Sequence, residues 1–244
     1  MQKNNTMTTV PRAPQPRTAS NHRIVYNKGQ KMRNKSPLIV IQMELGIMAN
    51  FTYIIADPTS RKAMLIDPAD DKKSILAKIQ DNALLLSGIL LTHGHFDHTG
   101  GAKTLASEYN IPVYLSTHEA KYYTPDCPHL TFVNDSQKIP LGELFIECLH
   151  TPGHTPGCQC FLIDQNLFTG DTLFVDAIGR TDFPGGDPKA LFESLQKIKK
   201  LPDNTMTWPG HNYGATTCGQ LGDLKKSNPF LASTRMDDFL HINE

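Results

Sequence analysis

The chain has 244 residues, 39% of them hydrophobic, with 24 basic and 24 acidic side chains. That is enough for one large α/β domain or two small ones, and enough apolar content for a sizeable core. The balanced charge points neither to nucleic acid nor to a membrane surface, and the apolar runs fall far short of the ~18–20 residues that span a bilayer.

The balance hides an asymmetry. Residues 1–36 carry eight Lys/Arg and no acid, leaving 16 basic and 24 acidic residues in 37–244. This first segment is rich in Asn, Thr, Pro and Gln, with "PRAPQPR" at 11–17 and no apolar periodicity. A disordered basic extension is expected there. It reads either as an organellar transit peptide or as an upstream extension without a role, Met32 or Met43 then opening the folded part. No charged-then-apolar export signal opens the chain. The five cysteines (Cys127, Cys148, Cys158, Cys160, Cys218) are odd in number and widely spaced. Reduced thiols are therefore expected, in a cytoplasmic setting or in an organelle if the segment is a transit peptide.

From residue 37 the pattern is that of one folded domain, 37–244. "LIVIQM" (38–43), "FTYIIA" (51–56) and "KAMLID" (62–67) predict an antiparallel start to a sheet. In 70–80, Ile75, Leu76 and Ile79 fall at helical spacing. "SGILLTH" (87–93) reads as a buried strand, 99–110 as a helix and "VYLS" (113–116) as a strand. "LFIECLHTPGH" (144–154) is a strand feeding a Pro/Gly loop, and 158–164 with 167–171 make a hairpin-like pair. Cys158 and Cys160 read as packed sheet residues, with metal binding as the alternative. A helix is well marked over 185–204: Asp187 caps it, Pro188 takes its first position, Leu191, Leu195 and Ile198 form its stripe and Pro202 ends it. "TMTWPGH" (205–211) is a last strand. The alternation predicts two sheets with helices outside.

Four strand or loop ends carry potential metal donors: His93, His95, Asp97 and His98 in "THGHFDH", His154 in "TPGHTPG", Asp171 in "TGDT" and His211 in "WPGH". Each follows an apolar run, and the flanking glycines let the backbone approach a ligand. Imidazoles as crowded as those of "HGHFDH" gain nothing from one another without a cation. Five imidazoles and two carboxylates suit zinc first, then iron or manganese. Seven donors exceed one tetrahedral ion and suit two divalent ions sharing a carboxylate and a water. His22, His118, His129, His150 and His241 show no partner pattern and read as surface or structural residues.

"THGHFDH", "TPGHTPG", "FTGDTLF" and "PGH", in that order over residues 37–231, resemble a metallo-β-lactamase-fold hydrolase. The resemblance implies a single-domain αββα sandwich with metals in a groove at the sheet edges. It implies that His93, His95 and His154 hold one ion, that Asp97, His98 and His211 hold the other, and that Asp171 bridges. "GRTDFPGGD" (179–187), "PGHNYG" (209–214) and "NPFL" (228–231) are similar to the glyoxalase II-like branch, which holds hydroxyacylglutathione hydrolases and persulfide dioxygenases. The implied activity is hydrolysis of a small-molecule thioester by a metal-bridging hydroxide, with Asp97 and Asp171 as catalytic residues. The alternative is an Fe(II) persulfide dioxygenase using His93, His154 and Asp171. Only 33 residues follow His211, so a helical glutathione-binding domain is not expected, and "GRTDF" replaces the glutathione-holding Lys-Phe-Tyr segment of full-length relatives. Tyr213 is a substrate-contacting candidate or a rim aromatic. Arg180 meets a substrate carboxylate or braces its loop through Asp182 or Asp187. Asp67 orients a ligand imidazole or caps its own turn. Neither nucleic acid nor a membrane is expected as a partner, and self-association is left open.

Overall fold

A computed structural model describes residues 38–242 in full and the backbone of Arg23–Val25. The remainder of the expected basic extension, with His22, lies outside the described residues. Within the extension, Arg23–Val25 is strand β1, paired antiparallel with β2 through Arg23↔Gln42 and Val25↔Val40.

Two sheets stack face to face between outer helices, as an αββα sandwich. The first sheet runs in chain order: β1, β2 (Ile39–Leu45), β3 (Asn50–Ala56), β4 (Lys62–Ile66), β5 (Leu85–Leu90), β6 (Val113–Ser116) and β7 (Leu130–Val133). Its first four strands are antiparallel, and from β4 onward the pairings are parallel. The first two parallel crossovers are α1 (Lys72–Asp81) and the pair α2 (Phe96–Thr99) and α3 (Ala102–Tyr109), and the third, from β6 to β7, contains the 3-10 turn Thr117–Glu119. The second sheet contains β8 (Lys138–Leu141), β9 (Leu144–His150), β10 (Gln159–Ile163), β11 (Asn166–Gly170), β12 (Met206–Pro209) and β13 (Gly219–Gln220), in the order β13-β12-β11-β10-β9-β8. Only β11 and β12 are parallel there, joined through α4 (Pro188–Ile198). Three short helices close the chain: α5 (Leu221–Ser227), α6 (Pro229–Ala232) and α7 (Met236–Ile242).

Strand alternation builds the layers. Ile41, Met43, Ile54, Leu65 and Ile89 face out onto Ile75 and Leu105 of the helices. Their neighbours Val40, Ile55, Met64, Ile66 and Leu90 face in, meeting Ile146, Phe161 and Phe168 of the second sheet. On the far side Cys160 and Leu167 pack on Leu191, Leu195 and Ile198 of α4. Both sheets are thus covered on two faces, which explains their near-continuous apolar runs. Tyr53 is the largest side chain fully buried between the sheets, and its hydroxyl donates to Pro209 O at 2.5 Å. Its phenol is held above its ordinary pKa, chiefly by burial.

The caps follow the sequence. Asp187 accepts from the N–H groups of Lys189 and Ala190 with Pro188 behind it, and Asp71 accepts from Ser74 N. The helix expected over 99–110 is interrupted. Gly100 and Gly101 separate α2 from α3, and Gly101 N donates to Pro68 O at 2.8 Å. A Cβ at Gly101 would press on the Ala69 and Pro68 carbonyl oxygens, so the loop before α1 sits where a continuous helix would carry side chains. Among the described residues no helix is long and apolar enough to cross a membrane.

At one end of the sandwich the two sheets share backbone hydrogen bonds. Phe51 N donates to Gly210 O at 2.8 Å, Asn212 N to Ala49 O at 2.9 Å and Gln159 N to Thr92 O at 2.9 Å.

Candidate metal centre

That stitched end is where the strand-end donors meet. His93 and His95 follow β5, and α2 presents Asp97 and His98 one turn further on. His154 follows β9, Asp171 follows β11 and His211 follows β12. One sheet therefore supplies four donors and the other three. Gly94 and Gly210 show why glycine precedes two of them. A Cβ at Gly94 would run into the Tyr123 carbonyl, and one at Gly210 into Asp171 Oδ1.

The donors fall into two groups. His95 Nδ1 lies 3.1 Å from His93 Nε2 and 3.0 Å from His154 Nε2. His98 Nε2 lies 3.1 Å from His211 Nε2 and 3.5 Å from Asp97 Oδ2. Asp171 stands between them, with Oδ2 3.5 Å from His154 Nε2 and 3.3 Å from His211 Nε2, and Oδ1 3.4 Å from His98 Nε2. His93, His98, His154, Asp171 and His211 are all buried.

The far nitrogens are occupied as well. The Nδ1 of His98 faces Asp67 Oδ2 at 3.0 Å, that of His154 meets Arg180 O at 2.7 Å and that of His211 meets Met48 O at 2.9 Å. A carbonyl can only accept, so His154 and His211 carry their proton on Nδ1 and turn an Nε2 lone pair inward. His93 Nδ1 sits 3.1 Å from Thr92 Oγ1.

Lone pairs converging at these separations repel unless a cation or proton lies between them. Tetrahedral zinc with Zn–N of about 2.0–2.1 Å places its ligand atoms roughly 3.3–3.4 Å apart, close to the spacings here. Asp171 Oδ1 is also buried without a hydrogen-bond partner, as an oxygen aimed at an ion would be. The residues present fit a divalent cation in each group.

The charges are set by the surroundings. Burial, and then the neighbouring His98 for His93 and His154 for His95, disfavours the imidazolium: His93 falls well below its ordinary range and His95 falls to about 4. Burial also opposes a proton on His98, but Asp171, Asp67 and Asp97 outweigh it and raise the group to about 9. Burial opposes ionisation of Asp171, yet His98 and His211 hold its carboxyl well below the usual range. Without an ion, a proton on His98 balances part of the acidic charge.

Tyr213 stacks on His211, ring centroids 4.6 Å apart and planes 8° apart, and stays half exposed. Arg180 does what its bracing alternative describes. Its Nε donates to Asp182 Oδ1 at 2.7 Å and its guanidinium lies 4.6 Å from the Phe183 ring centre. Phe183 and Tyr123 pack edge-on against His95. Asp67, at a left-handed turn (φ 48°), faces His98 and accepts from Thr92 N and Thr92 Oγ1 at the end of β5, so its side chain ties two strand ends together rather than capping its own turn. Cys158 and Cys160 are buried outside both donor groups. Burial raises both thiols, Cys160 to about 11. His118 and His150 stack on each other, apart from the donor groups.

Three residues, and the backbone carbonyl of Arg180, contribute without a sequence signal strong enough to select them. Asn50 Nδ2 donates to Asp97 Oδ2 at 2.8 Å. Met48 and Arg180 act through backbone carbonyls, which any residue offers. Glu119, fully buried, accepts from Gly94 N at 2.9 Å, Thr155 Oγ1 at 2.9 Å and Gly157 N at 2.8 Å. Its one signal is an acid three residues past a strand end, in "STHEA".

Residues 45–211 match the family described as the Metallo-beta-lactamase superfamily, and with this fold and donor cluster the chain belongs to that hydrolase superfamily. It is 34% identical over 195 residues to the "Probable polyketide biosynthesis zinc-dependent hydrolase BaeB" of Bacillus velezensis, covering 80% of this chain and 87% of that one. It is 33% identical to the "Hydroxyacylglutathione hydrolase GloC" of Haemophilus influenzae, covering 71% and 89%. The crystal structure of ETHE1 from Myxococcus xanthus superposes with a TM-score of 0.76 at 32% identity, covering 84% and 89%.

Proposed function

We propose that the chain hydrolyses a small-molecule thioester of the hydroxyacylglutathione type, using two divalent ions held by the two donor groups. The observation that carries this reading is the shared carboxylate: Asp171 faces His154 through Oδ2 at 3.5 Å and His98 through Oδ1 at 3.4 Å. Two such ions, zinc first and iron or manganese after it, supply an electrophile for the thioester carbonyl and bring water near to ionisation at neutral pH.

The chain's own residues supply position. His93, His95 and His154 would hold one ion, and Asp97, His98 and His211 the other. Asn50 orients Asp97, and Asp67 orients His98. Tyr123 and Phe183 wall the His95 side, while Phe174 and Tyr213 wall the side of His211. Tyr213, stacked half exposed on His211, would touch substrate. Arg180 would reach a substrate carboxylate by exchanging Asp182 for it. A thiol leaves with a pKa of about 8.5, so cleavage needs no strong acid beside the sulfur. The names of the BaeB and GloC relatives support hydrolysis and, for GloC, the substrate class. The free cysteines fit a reducing, cytoplasmic setting.

A second reading is an Fe(II) persulfide dioxygenase, favoured by "GRTDF" at 179–183 and by His93, His154 and Asp171 lying together as two imidazoles and a carboxylate. One experiment separates the two. Metal content per chain is measured on protein purified without added metal, together with turnover of S-lactoylglutathione and oxygen consumption with glutathione persulfide. Two ions and thioester turnover are expected. One iron with oxygen consumption would overturn the thioesterase reading.

A further inference from the structure

We propose that Glu119 is a positioning residue for the His93/His95/His154 group, clamping the loop that carries His95 to the loop that carries His154. The proposal rests on the reading that this group holds an ion.

Glu119 ends the short 3-10 turn Thr117–Glu119 that follows β6. It is fully buried and belongs to none of the potential metal-binding groups. Its two oxygens divide between the sheets. Oε1 takes the N–H of Gly94, the residue before His95, in the loop after β5. Oε2 takes the hydroxyl of Thr155, the residue after His154, and the N–H of Gly157 in the β9–β10 connection. His95 Nδ1 and His154 Nε2 face each other at 3.0 Å across the gap that this carboxylate spans.

His95 needs such a device more than its neighbours do. His98, His154 and His211 turn Nε2 inward and are steered by a partner on Nδ1. His95 turns Nδ1 inward, so Nε2 is the nitrogen that could be steered from behind, and no side chain or carbonyl among the described residues holds it as Asp67, Arg180 and Met48 hold the other three. Its direction is set by its backbone and by the rings packed on it. Glu119 acts on both: it binds Gly94 N, and its own carbonyl accepts from Tyr122 N and Tyr123 N at 3.0 Å. The Tyr123 ring lies 4.6 Å from His95, centre to centre. The fit leaves no slack, because a Cβ at Gly157 would strike both the Glu119 backbone nitrogen and Oε2.

Glu119→Gln tests the clamp at nearly constant volume. Whichever way its amide turns, an N–H₂ group faces the N–H of Gly94 or of Gly157, donor against donor. Metal-stripped full-length wild type and variant are titrated with Zn²⁺ against a chromophoric chelator, and with Co²⁺ by visible absorption, with circular dichroism reporting the fold. The folded variant is expected to bind its first ion about 10–100-fold more weakly, the usual cost of losing a residue that orients a ligand, with an altered Co²⁺ spectrum. Thr155→Val removes one donor and adds none, and should lose less in the same direction. Wild-type affinity and an unchanged Co²⁺ spectrum in folded Glu119→Gln would overturn the proposal. If that variant does not fold, unchanged affinity in Thr155→Val overturns it instead. A wild-type chain that binds neither ion would overturn the metal reading itself, a result distinct from both.

Discussion

Asp67 and His98 meet 3.0 Å apart, carboxylate oxygen to Nδ1, and both are buried. The same carboxylate accepts from Thr92 N at 2.8 Å and Thr92 Oγ1 at 2.6 Å, so it cannot rotate away. A proton on His98 Nδ1 leaves Nε2 free to face His211, Asp97 and Asp171. Asp67→Asn would place an amide N–H₂ either against His98 Nδ1, favouring the opposite tautomer, or against Thr92 N, donor against donor. Metal titration should show affinity at the Asp97/His98/His211 group weakened by about 10–100-fold, with the His93/His95/His154 group little changed.

Asn50 holds Asp97 with one 2.8 Å hydrogen bond. Bonds to a charged group contribute about 1.5–3 kcal/mol. Asn50→Ala should therefore lower kcat on S-lactoylglutathione by roughly tenfold or more, with a smaller change in KM. Asn50 is buried and its amide is a partner of Asp97, so the same loss should also lower the melting temperature by several degrees.

Tyr213 and Arg180 separate binding from structure. Tyr213→Phe keeps the ring stacked on His211 and loses only the hydroxyl, so steady-state kinetics should show a raised KM with metal content unchanged. Arg180→Ala breaks an exposed pair with Asp182, and such pairs contribute about 0.2–1 kcal/mol. Thermal unfolding should barely register it, whereas KM should rise for a thioester bearing a carboxylate more than for a neutral one.

At the opposite end from the metal centre, Asp57 ties the β3–β4 turn to the β8–β9 turn. Burial alone would raise its carboxyl, but the Ser60 hydroxyl and the N–H groups of Glu143, Thr59 and Ser60 outweigh it and hold the pKa below the ordinary value. A depressed folded pKa stabilises above the unfolded value, near 3.9, and that stability is lost as pH falls through the folded one. Urea unfolding from pH 6 to 2 should show Asp57→Asn costing most at the upper end and converging on wild type as pH falls through the depressed folded value.

The donors were legible because each cluster of them contains or adjoins a glycine at the end of an apolar strand, a local pattern visible without the fold. Their collection into two groups required the pairings: Asp171 and His211 leave the ends of β11 and β12, the one parallel pair of the second sheet. Asn50 and Glu119 stayed hidden because their roles exist only across elements. Asn50 reaches Asp97 from 47 residues away, and Glu119 reaches Gly157 from 38. The helix expected over 99–110 was misread at its start because Gly100 and Gly101 answer to a loop thirty residues earlier rather than to helix periodicity. The closing helices were not foreseen. Asn228 makes the turn into α6, accepting from Phe230 N and Leu231 N while its amide donates to the carbonyls of Phe174, Val175 and Ala177.

The bonds from Phe51 to Gly210, Asn212 to Ala49 and Gln159 to Thr92 have a mechanical consequence. The end of a sandwich is ordinarily where loops fray, but here an opening of either sheet must break main-chain bonds to the other. The amides of Phe51, Gln159 and Asn212 should exchange with solvent as slowly as those of the core, and the cavity for the ions is then stiff before any ion arrives. A preformed cage spends little of its binding energy on ordering itself, and an ion gripped by donors of both halves would act as a rivet between them.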